Sequence, residues 1–366
     1  RRRLEALALL TTLDSGETSE QTEAVQALAA FSHPAAKARL QAIADNESAP
    51  QALRDEAVDA LRRIDGRQSI NQGLQTVFFG LSLGSVLVLA AIGLAITFGV
   101  MGVINMAHGE LIMLGAYTAW GVQVLMPDNV GLALILAVPA AFIVSGSAGI
   151  LIERSIIRHL YQRPLETLLA TFGVSLILQQ AVRTLFGPLN RSVVAPSWMS
   201  GSFEVVDGLA LTYNRVVIIL FCLLVFAGVL AVIRYTRFGL ELRAVAQNRR
   251  VARTLGVRSE RIDALTFGLG SGVAGMAGVA LSQLTNVGPN LGQAYIVDSF
   301  LVVVVGGVGN LWGTLVAGLS IGIGNKLLEP VTGAVLAKIV LLVAIILFIQ
   351  KKPRGLFPQR GRVADA

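Results

Sequence analysis

Charge is scarce in this chain. Only 14% of its 366 residues are Asp, Glu, Lys or Arg, and 54% are hydrophobic, whereas a soluble domain carries about 25% charged residues. Apolar stretches of roughly 20 residues recur through most of the sequence, and each is long enough to cross about 30 Å of hydrocarbon. These features exclude a wholly soluble protein, and a β-barrel would instead show alternating segments of about ten residues. The sequence predicts an all-α, polytopic transmembrane helical bundle.

Cysteine and catalytic motifs are also scarce. The single cysteine, Cys222, lies in an apolar run, which excludes an intrachain disulfide and is typical of a small buried side chain. There is no HExxH sequence, no nucleotide-binding P-loop and no intramembrane Cys/His metal set. We therefore expect no catalytic and no metal-binding residue, and the sequence does not favour a membrane enzyme. Because the chain starts at Arg1 rather than at Met, we expect a further segment upstream, such as a signal peptide.

The few charges divide the chain into two parts. Residues 1–70 hold nine Lys/Arg and eleven Asp/Glu, whereas residues 71–366 hold 21 and 12. The basic excess belongs to the membrane part, where arginines in loops set orientation, so it is not a nucleic-acid signal. Residues 1–70 are polar and alanine-rich, and Pro34 and Pro50 each precede an amphipathic stretch. They predict a small domain of three or four short helices that resembles α-solenoid repeats.

Residues 71–366 predict eight or nine membrane segments joined by basic loops. We expect them near residues 76–99, 106–125, 131–153, 167–186, 215–233, 264–285, 296–307, 312–328 and 335–350. The basic loops 154–166 and 234–263 and the tail after 350 should be cytoplasmic. Counting back places residues 1–70 on the extracytoplasmic face, provided that the short segment 296–307 crosses. The expected localisation is the bacterial inner (plasma) membrane, with a cytoplasmic C-terminus.

Small residues recur at helical spacing in "GLGSGVAGMAG". Gly268 and Gly272 are four residues apart, as are Gly275 and Ser271. Small residues at this spacing let two helices pack backbone to backbone. The pattern fits a tightly packed transporter core, and it equally fits generic helix packing in any membrane bundle.

The strongest charge run contains "RFGLELRAVAQNRRVARTLGV". We expect a break at Gly239, a helix over about 241–254 and a second break at Gly256. Leu242, Val245, Ala246 and Leu255 give this helix a modest apolar stripe. The stripe favours docking of a soluble partner on this helix. A solvated, positively charged loop explains the same residues.

The stretch "VINMAHGELIMLGAY" places a histidine and a glutamate inside an apolar tract. Asn105 is a fair N-cap for a span that starts at Met106, and His108 and Glu110 then point roughly 200° apart on the helix. Glu110 near a helix N-terminus has a structural explanation in the helix dipole. Ionisable groups within a membrane also mark substrate pathways, so Asn105, His108 and Glu110 are candidate pathway residues.

Three separated motifs together resemble one family of membrane proteins. They are "GLSLGSVLVLAAIGLAITFGVMGVINMAHGELIMLGAY", the arginine-rich stretch quoted above and "DSFLVVVVGGVGNLWGTLVAGLSIG". In this order they resemble the permease subunits of branched-chain amino acid ABC importers over about residues 71–360. The preceding helical domain resembles the urea branch of that family. The resemblance implies import of urea or a short amide, and branched-chain amino acid import is the alternative.

The resemblance also implies partners. These are a second homologous permease subunit, two cytoplasmic ATPases that hold ATP and Mg²⁺, and a soluble extracytoplasmic binding protein. No cofactor is then expected on this chain. The ATPases would dock on the segment 234–263, whose candidate coupling residues are Arg237, Gly239, Arg243, Gln247, Asn248, Arg249, Arg250, Arg253 and Gly256. A passive small-solute channel is a further, less favoured alternative.

The residues themselves discriminate weakly between urea and an amino acid. A zwitterionic amino acid needs partners for two charges, whereas urea is neutral. The spans contain no Lys or Arg over residues 71–153 or 264–325. Glu110 can accept from urea N–H groups, and Asn105 or a neutral His108 can donate to its carbonyl. This chemistry favours urea slightly, although helix N-termini can also hold a carboxylate.

Overall fold

A computed structural model describes residues 18–29, 34–46, 49–161, 163–206 and 209–357. The predicted N-terminal domain and the C-terminal tail are therefore described only in part. The described residues are mostly helical, which confirms the predicted fold class. The helices are α1 (Thr18–Leu28), α2 (Pro34–Ala44), α3 (Gln51–Met101), α4 (His108–Leu125), α5 (Val130–Ser155), α6 (Pro164–Phe186), α7 (Tyr213–Tyr235), α8 (Arg237–Gln247), α9 (Arg249–Thr254), α10 (Ser259–Ser282), α11 (Leu291–Gly306), α12 (Leu311–Thr332) and α13 (Ala334–Lys351).

The chain divides into two compact units after Phe78, and α3 contributes to both. In the first unit, α1, α2 and the first turns of α3 share a buried apolar cluster that includes Leu28, Leu40 and Ile64. The prediction that this domain contains only short helices is wrong for α3. After Pro50 no proline interrupts the chain before residue 101, so the helix that starts at Gln51 continues to Met101.

The first unit also contains a β-hairpin that the sequence did not predict. Strands β1 (Ser202–Val206) and β2 (Leu209–Thr212) pair antiparallel, with Phe203 opposite Leu211. The sequence predicts only a loop between the spans near 167–186 and 215–233. Its β-branched and aromatic residues favour pairing, but runs of four or five residues are too short to stand out from a loop.

The second unit holds the membrane-spanning helices. Seven of the described helices are long and apolar enough to cross a bilayer, namely α3, α5, α6, α7, α10, α12 and α13, and α11 is a shorter apolar helix. Helix α4 is not among the seven. It is long enough, with 18 residues, but His108, Glu110 and Gln123 lower its mean hydropathy. The observed bounds lie within a few residues of the predicted spans, except that α3 begins well before residue 76.

Helix α10 packs tightly against α4 and α5 and is buried along most of its length. A Cβ atom on Gly115 of α4 would lie 2.0 Å from the carbonyl oxygen of Gly275. A Cβ atom on Gly278 would lie equally close to the carbonyl oxygen of Ile112. The predicted backbone-to-backbone packing of this glycine-rich helix is confirmed, and it fixes α4 against the centre of the bundle.

Candidate functional site

A break in the chain precedes the polar start of α4. Helix α3 ends beside Gly102, whose φ of 67° is readily adopted only by glycine. Helix α4 then begins at His108, with Ala107 at the N-cap position and no side-chain cap. The predicted helix start at Met106, capped by Asn105, is wrong because α4 begins two residues later. The Asn105 Oδ1 atom accepts from the Ala107 N–H at 3.0 Å and closes a turn before the helix instead.

His108 is fixed by the backbone of α3. Its Nε2 atom lies 2.8 Å from the carbonyl oxygen of Ala90, and the side chain is fully buried. Because a carbonyl oxygen can only accept, Nε2 carries the proton and donates. The Nδ1 atom has no partner within the described chain. His108 therefore joins α3 to α4 and keeps one acceptor atom unused.

Glu110 contacts a different helix. Its Oε1 atom accepts from the Ser175 hydroxyl at 3.0 Å and from the Gln179 amide at 2.7 Å, both on α6. Its Oε2 atom is buried and lacks a partner among the described residues. The expected divergence of His108 and Glu110 is confirmed, because one side chain binds α3 and the other binds α6.

Helix α6 carries the polar residues that the sequence analysis missed. Thr167, Thr171, Ser175 and Gln179 are all buried and recur every fourth residue. The Thr171 hydroxyl accepts from the Met106 N–H at 3.1 Å, so this face meets the start of α4 over two turns. The four-residue period is visible in the sequence and could have identified the face. The sequence does not show, however, that this face of α6 packs against α4.

The arginine-rich segment forms two short helices instead of one. The break predicted at Gly239 is wrong, since this residue lies within α8, where a Cβ atom would approach the Ile233 carbonyl oxygen to 2.1 Å. The break falls at Asn248, whose Oδ1 accepts from Arg250 N–H and Val251 N–H at 3.1 Å and caps α9. The break predicted at Gly256 is confirmed by its φ of 87°.

The apolar stripe of this segment faces the protein rather than a partner. Leu242 and Val245 are buried in a cluster with Val100 and Ile262, so the proposed docking through these two side chains is wrong. Leu240, Val251 and Leu255 are 62%, 51% and 78% exposed. The outer surface therefore offers a partner apolar as well as polar and charged side chains.

The candidate coupling residues divide into an inward and an outward group. Arg249 donates to Asp263 of α10 at 2.7 Å, and Asp263 is only 1% exposed. Arg253 donates to the Ser259 hydroxyl at 2.7 Å, and Arg243 donates to the Ile233 carbonyl. Arg243 and Arg253 are nevertheless exposed, as are the candidates Arg237, Gln247, Asn248, Arg250 and Gly256. The inward group anchors α8 and α9 to the bundle.

Tyr161 completes the anchor from the turn after α5. The Arg249 guanidinium lies 4.7 Å from the centre of the Tyr161 ring. Burial raises the pKa of the Tyr161 phenol, with the nearby Asp263 carboxylate acting in the same direction. The ring therefore stays neutral and presents an electron-rich face to the cation.

Comparison with known proteins places these elements in one family. The chain matches the family described as "Branched-chain amino acid transport system / permease component" over residues 76–349. The high-affinity branched-chain amino acid transport system permease protein BraD of Pseudomonas aeruginosa is 31% identical over 77% of this chain and 95% of BraD. The corresponding protein LivH of Escherichia coli is also 31% identical, over 77% of this chain and 94% of LivH.

More distant similarity extends to a sugar permease. The ribose import permease protein RbsC of Escherichia coli is 25% identical over 69% of this chain and 77% of RbsC. No solved structure matches the chain. The match over residues 76–349 covers the break before α4, the arginine-rich segment and α11, and from it we conclude that the chain belongs to the branched-chain amino acid transport permease family.

Proposed function

We propose that this chain is a membrane-spanning permease subunit of an ATP-binding-cassette importer that carries branched-chain amino acids. The observation that supports this is the similarity to BraD and LivH along almost their whole length. Neither of these relatives, nor RbsC, is named as a urea permease. Import of urea, which the sequence analysis favoured, is therefore the second candidate. It rests on the N-terminal helical domain and on the absence of Lys and Arg from residues 71–153 and 264–325.

The proposal includes partners and an orientation. ATP hydrolysis belongs to two ATPases on the side of the arginine-rich segment 234–263, which is cytoplasmic by the excess of positive charge. A second permease subunit and a soluble binding protein complete the importer. Residues 1–70 then lie outside the cytoplasm and the C-terminus lies inside it.

The polar start of α4 belongs to this proposal as a candidate pathway. Asn105, His108 and Glu110 are buried, and each has one polar side-chain atom without a partner among the described residues. Unused buried donors and acceptors are costly unless something binds them. A small polar solute or water between α4 and α6 would supply the missing partner of Glu110, whereas the His108 side chain binds α3.

Ligand binding to the cognate binding protein separates the two candidate substrates. We expect leucine, isoleucine or valine to raise the thermal midpoint of the purified binding protein, because a ligand that binds only the folded state stabilises it. Urea at the same concentration should leave the midpoint unchanged. The opposite result, stabilisation by urea and not by leucine, would contradict the assignment to amino acids.

Arg250→Glu is expected to weaken coupling without disturbing the fold. The Arg250 side chain is exposed, so reversing its charge removes attraction for an acidic partner surface. ATP-dependent uptake should fall by roughly fivefold, equivalent to about 1 kcal/mol, while the amount of inserted protein stays the same. Arg154→Glu, the same change at an exposed arginine outside segment 234–263, serves as the control. Equal uptake by Arg250→Glu and the wild type would argue against docking at this residue.

A further inference from the structure

Two helices late in the chain bring opposite charges together within the membrane part. Asp298 lies halfway along α11, and Lys338 lies in the second turn of α13. The Asp298 Oδ2 and Lys338 Nζ atoms are 3.8 Å apart. The lysine side chain is 58% exposed and the aspartate side chain 25% exposed. This pair could not be found from the sequence, because 40 residues separate its members.

The pair is loose. A charge-assisted N–H···O bond is about 2.7–2.9 Å long, whereas these two atoms are 3.8 Å apart. One contact of this length leaves most of the lone pairs of the carboxylate and most of the three ammonium donors free for a further partner. The neighbouring pair between Lys326 and Glu329 of α12 is different, since its atoms are 2.5 Å apart. Asp298 and Lys338 thus keep donors and acceptors available while staying close enough to balance each other's charge.

Asp298 and Lys338 lie in the membrane part of the chain, where charged groups need a partner. Helix α11 is apolar over most of its length, and Asp298 is its only charged residue. Charged side chains at membrane depth are costly, so they face protein, water or a bound solute rather than lipid. Both groups are partly exposed on the surface of this chain. We place this surface against a partner or a water-filled passage in the assembled importer.

Branched-chain amino acids match this arrangement. Their ammonium and carboxylate groups are attached to the same carbon, so two opposite protein charges a few ångströms apart can bind both. Val297 and Ile339, adjacent in sequence to the pair, are 57% and 50% exposed and offer apolar surface to a branched side chain. Urea carries no charge and would need neither partner.

We propose that Asp298 binds the ammonium group and Lys338 the carboxylate group of the amino acid as it crosses the membrane. This inference rests on the proposed function, because only an amino acid substrate requires both charges. It adds a recognition site inside the permease to any selectivity exerted by the binding protein. Lys338 supplies the cation that residues 71–153 and 264–325 lack.

The test compares a neutral double variant with a matched control. Asp298→Asn/Lys338→Met removes both charges and leaves no unpaired charge, so insertion and assembly should persist. Lys326→Met/Glu329→Gln does the same at the closed pair on α12. Each variant is purified with its partner permease and ATPases, reconstituted in proteoliposomes with liganded binding protein, and assayed for ATP-driven leucine uptake per assembled complex.

We expect leucine uptake to fall by about tenfold or more in the Asp298→Asn/Lys338→Met variant, since two charge-assisted contacts are lost. The control should stay within about twofold of the wild type. If the double variant does not assemble, Lys338→Met alone is measured, and the same fall is expected. Unchanged uptake by the assembled double variant, or by Lys338→Met in its place, would overturn the site while leaving the proposed function intact. A wild-type complex that carries urea but not leucine would overturn the proposed function itself.

Discussion

Gly115→Ala should remove most of the folded permease from the membrane. The added Cβ atom would lie 2.0 Å from the carbonyl oxygen of Gly275 and 2.5 Å from its carbonyl carbon and Cα atom. These are backbone atoms of the central helix α10, which cannot turn aside as a side chain can, so α4 and α10 must separate. Overpacking of a well-packed core costs about 1–3 kcal/mol, and this backbone clash belongs at the upper end. The measurement is the thermal midpoint and yield of the purified complex.

Gly121→Ala is the matched control for this prediction. Gly121 lies two turns further along the same helix, and a Cβ atom built there would meet nothing within 4 Å. Alanine also favours helix over glycine by about 1 kcal/mol. Gly121→Ala should therefore be neutral or slightly stabilising. If the two variants had the same midpoint, the close packing of α4 on α10 would be refuted.

Arg249→Met is expected to destabilise the protein strongly because it leaves a buried carboxylate without its partner. Asp263 is 1% exposed and accepts a 2.7 Å bond from Arg249. Removing one member of a buried ion pair costs about 3–5 kcal/mol. The partial exposure of Arg249, at 30%, moves the expectation to the lower end of that range. The predicted outcome is a lower thermal midpoint together with loss of ATP-driven uptake.

Two further variants separate stability from coupling. Arg249→Met/Asp263→Leu removes both charges, and replacement of a buried pair by apolar residues is often neutral, so the thermal midpoint should recover. Uptake should stay low, because α9 is no longer anchored to α10 through this pair. Arg250→Met, at the exposed neighbour, should keep the midpoint. Recovery of full uptake in the double variant would show that the pair has no part in coupling.

The fold was largely predictable because a membrane-spanning helix can be identified from its apolar composition. The spans were found within a few residues, since each is an apolar run bounded by charge or by Gly and Pro. The packing of α10 was also predictable, because small residues four apart, such as Gly268 and Gly272, let helices approach closely. Helix α3 was predicted too short because its first half is polar, and polarity at a helix surface does not end a helix.

The candidate sites were less predictable because they depend on contacts between distant segments. Glu110 was identified as a candidate pathway residue from its place in an apolar tract, but its partners Ser175 and Gln179 lie 65 and 69 residues away. Arg249 was assigned to a docking surface, yet it binds Asp263 inside the protein. Spacing along one helix reveals a polar face, whereas only the packing of helices reveals what that face meets.

The most direct test of the proposed function is transport by the reconstituted importer. The chain, its partner permease and its ATPases are placed in proteoliposomes, with the binding protein on the outside, and radiolabelled leucine and urea are offered in parallel. We predict ATP-dependent accumulation of leucine that is abolished when the Walker lysine of the ATPases is mutated. Accumulation of urea instead of leucine, or leucine entry that persists without ATP hydrolysis, would contradict the assignment as an amino acid importer.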